Sequence, residues 1–236
     1  MCGQFFIARE GGDALLSLML DEASRRCRAV TGETDGVARG RVRPSETVAA
    51  LAVGRSGRVG AFPMQWGFHR PGGSELIINA RSETACQSPL FGPSMRERRC
   101  LIPLSWYFEW ERNAETENGF LPPLPKEDAE AGRRPAGKKG NAVRYAIRPA
   151  VPGPVYLAAI YRWEEGRRLP SLAVLTRAPA PEVAFIHDRM PVIFSDRNRA
   201  VWLDRSVDPE KALRACESSM AFRPAWQDTE QETFSE

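Results

Sequence analysis

Removal of the initiator methionine would leave Cys2 with a free α-amine beside its thiol, a pair able to capture an aldehyde. The amine condenses to an imine, as lysine does in Schiff-base catalysis, and the neighbouring thiolate can then close a five-membered thiazolidine ring. No internal cysteine carries both groups. Reference pKa values of roughly 8 for an α-amine and about 8.5 for a thiol leave some of each nucleophile deprotonated near neutrality. The competing reading is a small buried residue that opens a strand.

Three further segments concentrate reactive side chains. In Ile77-Ile78-Asn79-Ala80-Arg81-Ser82-Glu83-Thr84 a strand ends in polar residues. Asn79 offers a donor and an acceptor, and Arg81, two residues on and so on the same face, can fork onto a phosphate. An asparagine and an arginine can equally satisfy a turn at a strand end. In Ser105-Trp106-Tyr107-Phe108-Glu109-Trp110 one carboxylate sits inside an aromatic run. Surrounding rings would desolvate Glu109 and raise its pKa, as suits a general acid; alternatively the strand alternates, with Glu109 in solvent and Phe108 and Trp110 packed inward. In Ile186-His187-Asp188-Arg189-Met190-Pro191 a carboxylate could orient the imidazole and a guanidinium bind an anion, the other reading being a capped histidine at a helix end.

The elements that must position these groups are short. Leu16, Met19 or Leu20, Ala23 and Cys27 recur at helical spacing after Gly12-Asp13, predicting an amphipathic helix behind a strand over 4–8, with Arg25 and Arg26 near its favourable C-terminal end. Strands are predicted over 48–53, 60–68, 75–80, 155–161, 171–176 and 190–194. Pro181 starts a short helix ending at His187, Ser195 and Asp208-Pro209 read as N-terminal caps, and the two later helices end near Leu203 and Ser218. The sum is an α+β chain, a mainly antiparallel β core with peripheral helices.

With 236 residues and 42% apolar content, one domain can bury a substantial core without staples. The expected organisation is a domain over 1–220 with an exposed insertion at 113–140 and a tail over 221–236. Five cysteines without a CxxC pair, and two histidines far from them, predict a reducing compartment and no metal site. Arg9, Glu10 and Asp13 interrupt any leader or membrane span, so a cytoplasmic protein without lipid anchor is expected. A net charge of +3 permits a nucleic-acid partner without arguing for one.

Taken in order, MCGQF, MQWGF (64–68), INARSETA, RCLIP with FEW, AVLT (173–176) and IHDRMPV strongly resemble the SOS-response-associated peptidase (SRAP) family, the abasic-site-processing proteins. The resemblance covers roughly residues 1–203. It implies a single mixed domain of barrel-like sheets with a basic groove, acting as a monomer without cofactor on single-stranded DNA, or its junction with duplex, at an abasic site. Carried over by motif, Cys2 becomes the attachment point, Asn79 positions it and the sugar, Glu109 assists ring opening and proton transfer, and His187 relays protons. Arg81 and Arg189 hold flanking phosphates, and Trp110 and Thr176 lie near the DNA. Departures include Gln4, where many relatives have arginine, Trp106, where glycine is common, Arg41-Val42-Arg43-Pro44 in place of Asn-x-Ala-Pro, and a missing Val-Asn signature, which leaves open how the last strand pairs. Two other classes compete. One is amide chemistry at Cys2, either glutaminase, for which the completing segments are absent, or autoproteolysis limited to Met1. The other is a non-catalytic single-strand-binding module.

Overall fold

The computed structural model describes residues 3–8, 14–70, 72–111, 143–151 and 153–225. Cys2, the expected insertion at 113–140 and residues 226–236 of the expected tail lie outside them. No helix among the described residues is long and apolar enough to cross a membrane.

Five strands form one sheet in the order β15-β10-β9-β1-β2: Met220–Pro224, Arg144–Pro149, Trp106–Trp110, Phe5–Ile7 and Gly40–Val42. All its pairings are antiparallel. The second sheet follows the order β13-β12-β4-β3-β8-β11-β14. Its strands are Met190–Pro191, Ser171–Arg177, Val59–Trp66, Thr47–Val53, Arg99–Leu104, Val155–Arg162 and Ile193–Ser195. A further pairing of β11 with β12 closes this sheet into a ring, and β7, Asn79–Arg81, joins β12 in parallel just beyond β4. Phe68–His69 (β5) and Leu76–Ile77 (β6) make a separate small pair. The predicted α+β class with a mainly antiparallel core is what the chain adopts.

Helix α1, Ala14–Thr31, buries Leu16, Met19, Leu20, Ala23 and Cys27, the stripe its spacing predicts. Burial of Leu16, Met19 and Leu20 stabilises the docked helix by roughly 1.5–3 kcal/mol each, far more than helix propensity supplies. The short helices α2 (Ser82–Ala85), α3 (Gly92–Glu97), α4 (Arg199–Leu203) and α5 (Pro209–Leu213) lie between strands. Trp202 anchors α4 by donating its indole N–H to the Cys100 carbonyl of β8 at 3.0 Å.

Several local expectations are corrected. The strand predicted over 60–68 breaks at Gly67, whose φ of 124° is open to glycine and where a Cβ would come within 3.0 Å of Leu76. The segment predicted as one strand over 75–80 splits into β6 and β7 because its halves pair with different sheets, and 190–194 splits likewise into β13 and β14, which pair with different strands. Pro181 starts only a 3-10 turn, Pro181–Val183, that ends before His187. Ser195 ends β14 instead of capping a helix; its N–H donates to Asn198 Oδ1, the residue that precedes α4. Asp208 does cap α5, accepting from Lys211 N–H at 3.1 Å, although that helix stops at Leu213. Residues 221–224, expected in the tail, belong to β15 and pair with β10.

The turn between β11 and β12 is locked by one carboxylate. Glu164 accepts from His69 Nδ1 (2.6 Å), from the His69 N–H (2.9 Å), from the Ser171 hydroxyl (2.7 Å) and from the Arg162 guanidinium (2.6 and 2.9 Å). Burial pushes its pKa upward, but the hydrogen bonds from Ser171, His69 and Arg162 outweigh it and hold the group at about 2. The folded pKa lies below the unfolded one, so this stabilisation is present above the ordinary glutamate pKa of 4.5 and fades as pH falls towards 2. Glu164→Gln is expected to cost about 2 kcal/mol at neutral pH, the range for a hydrogen bond to a charged group. Thermal melts between pH 7 and pH 2 check this: the difference between the two proteins should shrink on acidification, and a difference independent of pH would refute the assignment.

Candidate functional site

Strand β9 carries Glu109, and its neighbours decide which way that side chain faces. β9 pairs with β1 on one edge (Phe5 opposite Tyr107, Phe6 opposite Trp106) and with β10 on the other (Tyr145 opposite Glu109, Phe108 opposite Ala146). Tyr107 belongs to the main core, whereas Trp106 and Phe108 join Phe6 and Ala146 in a second cluster on the other face. Alternation therefore turns Glu109 to the Tyr107 side, where it is 5% exposed and its Oε2 atom is closed off from solvent. Of the two sequence alternatives, the solvent-facing carboxylate is ruled out. Trp110, at the strand's end on the outer face, is 40% exposed and lies opposite Arg144.

Inward-facing Tyr145 connects Glu109 to the histidine segment. Its ring stands edge-on to Phe185 at 5.6 Å, and Phe185 meets Phe222 of β15 at 5.2 Å. His187, two residues beyond Phe185, is 6% exposed. Its Nδ1 has two neighbours with opposite demands: the Arg189 N–H at 3.0 Å needs a lone pair there, and the Asp188 carboxylate at 2.7 Å needs a proton. The Arg189 N–H is fixed by the backbone, while the Asp188 side chain is 66% exposed and satisfied by water as readily. Which of the two Nδ1 serves follows its proton: a bare Nδ1 accepts from the Arg189 N–H, and a protonated Nδ1 donates to Asp188.

Parallel pairing of β7 with β12 sets Asn79 beside Val174 and Arg81 beside Thr176. Asn79 is half-buried, with its Oδ1 closed off from solvent, and Arg81 is exposed at the end of β7. Arg189 docks here. Its guanidinium forks onto Glu83 at 2.7 and 2.8 Å and donates to the Thr176 carbonyl at 2.6 Å and hydroxyl at 3.3 Å. That fork holds the Glu83 carboxyl below the usual range. Thr176 is fully enclosed, so its contribution runs through Arg189 and through its hydroxyl's bond to the Ala80 carbonyl at 3.4 Å.

Residues 185–189 thus bridge the seam between the two sheets: Phe185 rests on Tyr145 of one sheet and Arg189 on Thr176 of the other. Asn79, Arg81, Thr176 and Arg189 lie together along β7 and β12, His187 comes two residues before Arg189, and Glu109 is linked to this segment through its strand partner Tyr145. Strand β1 delivers the amino-terminal end of the chain to the same strand, with Gln4 O accepting from Phe108 N–H at 2.9 Å, one residue from Glu109. Sequence reading missed two carboxylates. Glu83 partners Arg189, and its signal is its place two residues after Arg81. Glu111, 5% exposed and accepting from the Tyr145 hydroxyl at 3.3 Å, repeats Glu109 at the strand period of two.

The remaining thiols are poor nucleophiles. Burial pushes Cys27, Cys86, Cys100 and Cys216 all above the ordinary thiol pKa, so each is protonated at neutral pH. Among the described residues no cluster of three or more His, Cys, Asp or Glu could hold a metal ion.

The model of a family described as SOS response associated peptidase (SRAP) matches residues 1–230. Similar curated proteins include the abasic site processing protein YobE of Bacillus subtilis, 27% identical over 220 residues, covering 89% of this chain and 85% of that protein. The abasic site processing protein YedK of Escherichia coli is 24% identical over 216 residues, covering 90% and 83%. Among solved structures, a phage-related protein from Bordetella bronchiseptica aligns over 98% of this chain and 99% of its own with a TM-score of 0.63 at 18% identity, a likeness of fold.

The Arg189–Glu83 fork predicts a specific stability loss. Glu83→Gln and Arg189→Lys both remove the two-pronged geometry, the latter while keeping the charge, and each should cost about 1 kcal/mol, or some 2–4 °C in melting temperature. Because Glu83 is half exposed, the loss should shrink at high salt. Unchanged melting of both variants would show that the fork holds nothing in place.

Proposed function

Because the chain belongs to the SOS response associated peptidase (SRAP) family, we propose that it processes abasic sites in DNA by capturing their ring-opened aldehyde on Cys2, through a thiazolidine. The observation that carries this reading is the buried Glu109 beside the strand that leads back to Cys2. In sequence Cys2 stands two positions before Gln4, whose carbonyl accepts from the Phe108 N–H one residue from Glu109. The names of YobE and YedK as abasic site processing proteins support the substrate.

The chemistry balances without a cofactor. The α-amine adds to the sugar aldehyde, water leaves to give an imine, and the thiolate adds to the imine carbon while the nitrogen takes a proton. One amine, one thiol and one aldehyde become one thiazolidine and one water. An abasic sugar is mostly closed, so a proton delivered to its ring oxygen raises the supply of aldehyde, and a shielded glutamic acid suits that step. His187 relays protons at the sugar, and Asn79 orients the open chain. Closure by sulfur removes the iminium that would otherwise undergo β-elimination, so the DNA strand stays intact.

Arg81, exposed and next to Asn79, is the first candidate for a flanking phosphate, and exposed Trp110 for a base face. Arg189 is engaged by Glu83, so a phosphate reaches it only by competing with that carboxylate. Its first contribution is to hold the His187 segment on β12. The single-stranded substrate fits an unpaired sugar with no duplex to unstack.

Incubation with single-stranded DNA bearing one abasic site should give a heat-stable adduct whose mass equals protein lacking Met1 plus DNA minus one water. Cys2→Ala should abolish it, and an undiminished adduct in that variant would refute the assignment. Glu109→Gln should slow adduct formation by about 100-fold, within the range for one general acid, with DNA affinity unchanged. Equal loss of rate and affinity would reduce Glu109 to a structural part. The family's description as a peptidase supports a second, narrower use of the same groups, the removal of Met1. Mass analysis after expression without methionine aminopeptidase decides it, since retained Met1 excludes self-cleavage.

A further inference from the structure

At the end of the ring-shaped sheet away from the seam lies a groove of about 870 Å³. Strand β11 runs antiparallel to β12, so its last residues, with Tyr161 opposite Leu172, lie at the end of β12 remote from Thr176. Four residue steps along β12, roughly 13 Å of strand, separate Leu172 from Thr176, where Arg189 docks, and two steps separate it from Val174 beside Asn79. One wall is α1, with Glu22, Arg26 and Val30; another is the turn between β3 and β4; a third is the chain after β11 and before β12.

The lining is strongly one-signed. Five arginines (Arg26, Arg55, Arg58, Arg168 and Arg205) face one carboxylate, Glu22, a net of +4 where the whole chain carries +3. Glu22 pairs with Arg26, whose guanidinium lies 4.3 Å above the Phe62 ring. Arg168 and Arg205 donate to neutral groups, the carbonyls of Thr31 at 2.7 Å and Val53 at 3.0 Å, which fix their direction while leaving their charge uncancelled. Arg55 and Arg58 project into solvent from a tight turn closed by Gly54 N–H to Arg58 O at 2.9 Å, with Gly57 at a φ of 77°.

The same groove carries bare apolar surface. Of the six exposed large hydrophobic side chains among the described residues, three line it: Val30, Val59 and Trp163, the last 65% exposed. An exposed indole lining the same groove as these guanidinium groups is what a base-stacking platform beside a phosphate track requires. An acidic peptide would satisfy the charges but has no need of a flat indole face.

We propose that this groove is a second binding site for single-stranded nucleic acid, with Arg55, Arg58, Arg168 and Arg205 on the phosphates and a base stacked on Trp163. It requires no abasic sugar and works independently of Cys2, so it can hold intact strand while the seam engages a lesion.

Fluorescence anisotropy of the full-length protein with a labelled intact thymidine 20-mer, across a salt series, tests this. Trp163→Ala should weaken binding fivefold or more, and Trp163→Tyr should restore most of it by keeping a ring. The pair Arg55→Gln and Arg58→Gln should weaken binding and flatten the salt slope by about 1.4, or about 0.7 for each phosphate no longer neutralised. None of these should alter adduct yield on a short abasic oligonucleotide at saturating protein. Cys2→Ala should bind the intact 20-mer as wild type does, so a wild-type protein that forms no adduct would sink the capture chemistry and leave this site standing. Wild-type affinity in the groove variants would overturn the site, as would polyglutamate, but not the 20-mer, binding in a way those variants abolish.

Discussion

A five-residue strand with neighbours on both edges cannot choose which side chains it shows to the core. β9 is held by β1 on one side and by β10 on the other, and its residues must alternate between the two faces of the sheet. Slippage by one residue would place Glu109 among the outer aromatic cluster and Phe108 in the seam. The stacked pair Phe6–Trp106, 4.6 Å apart and 10° from parallel, resists that slip on the outer face, while Phe5 and Tyr107 resist it on the inner. The carboxylate's burial, the arrival of the amino-terminal strand beside it and the docking of Phe185 on Tyr145 all follow from this register.

The seam between the sheets explains why the candidate site is assembled from such short elements. Each sheet supplies one side: β9 and β1 from the first, β7 and β12 from the second. Neither side holds the complete set, and the irregular stretch from Pro181 to Arg189 joins them. That stretch has little secondary structure of its own, so its shape depends on the Phe185 contacts at one end and the Arg189 fork at the other. Trp106, a departure from the family's common glycine, faces the outer cluster with Phe6 and Phe108 and so strengthens the register without entering the seam.

The two charged regions differ in how their arginines are used. At the seam, Arg189 is neutralised by Glu83 and serves as a clamp, leaving exposed Arg81 as a cation open to a ligand. At the remote groove, Arg168 and Arg205 are aimed by backbone carbonyls and keep their charge. A guanidinium bound to a carboxylate stabilises a structure; one oriented by neutral acceptors remains a partner for anions. A net charge of +3 over 236 residues conceals this division because acidic residues elsewhere offset the groove.

Much of the fold was legible in local pattern. The helical stripe of α1, the positions of β3, β11 and β12, and the Asp208-Pro209 cap follow from side-chain periodicity and turn chemistry, which a linear chain carries in full. The reactive inventory was equally legible: an amine and thiol on one residue, an amide, a carboxylate among rings, an imidazole beside charges. Choices that depend on a distant partner were left to the assembled fold. The face taken by Glu109 required β1 and β10; the division of 75–80 and 190–194 into separate strands required different partners competing for their halves; the commitment of Arg189 required Glu83, 106 positions away. Period and propensity act over a few residues, whereas register and ion pairing are settled by packing between segments that the sequence keeps far apart.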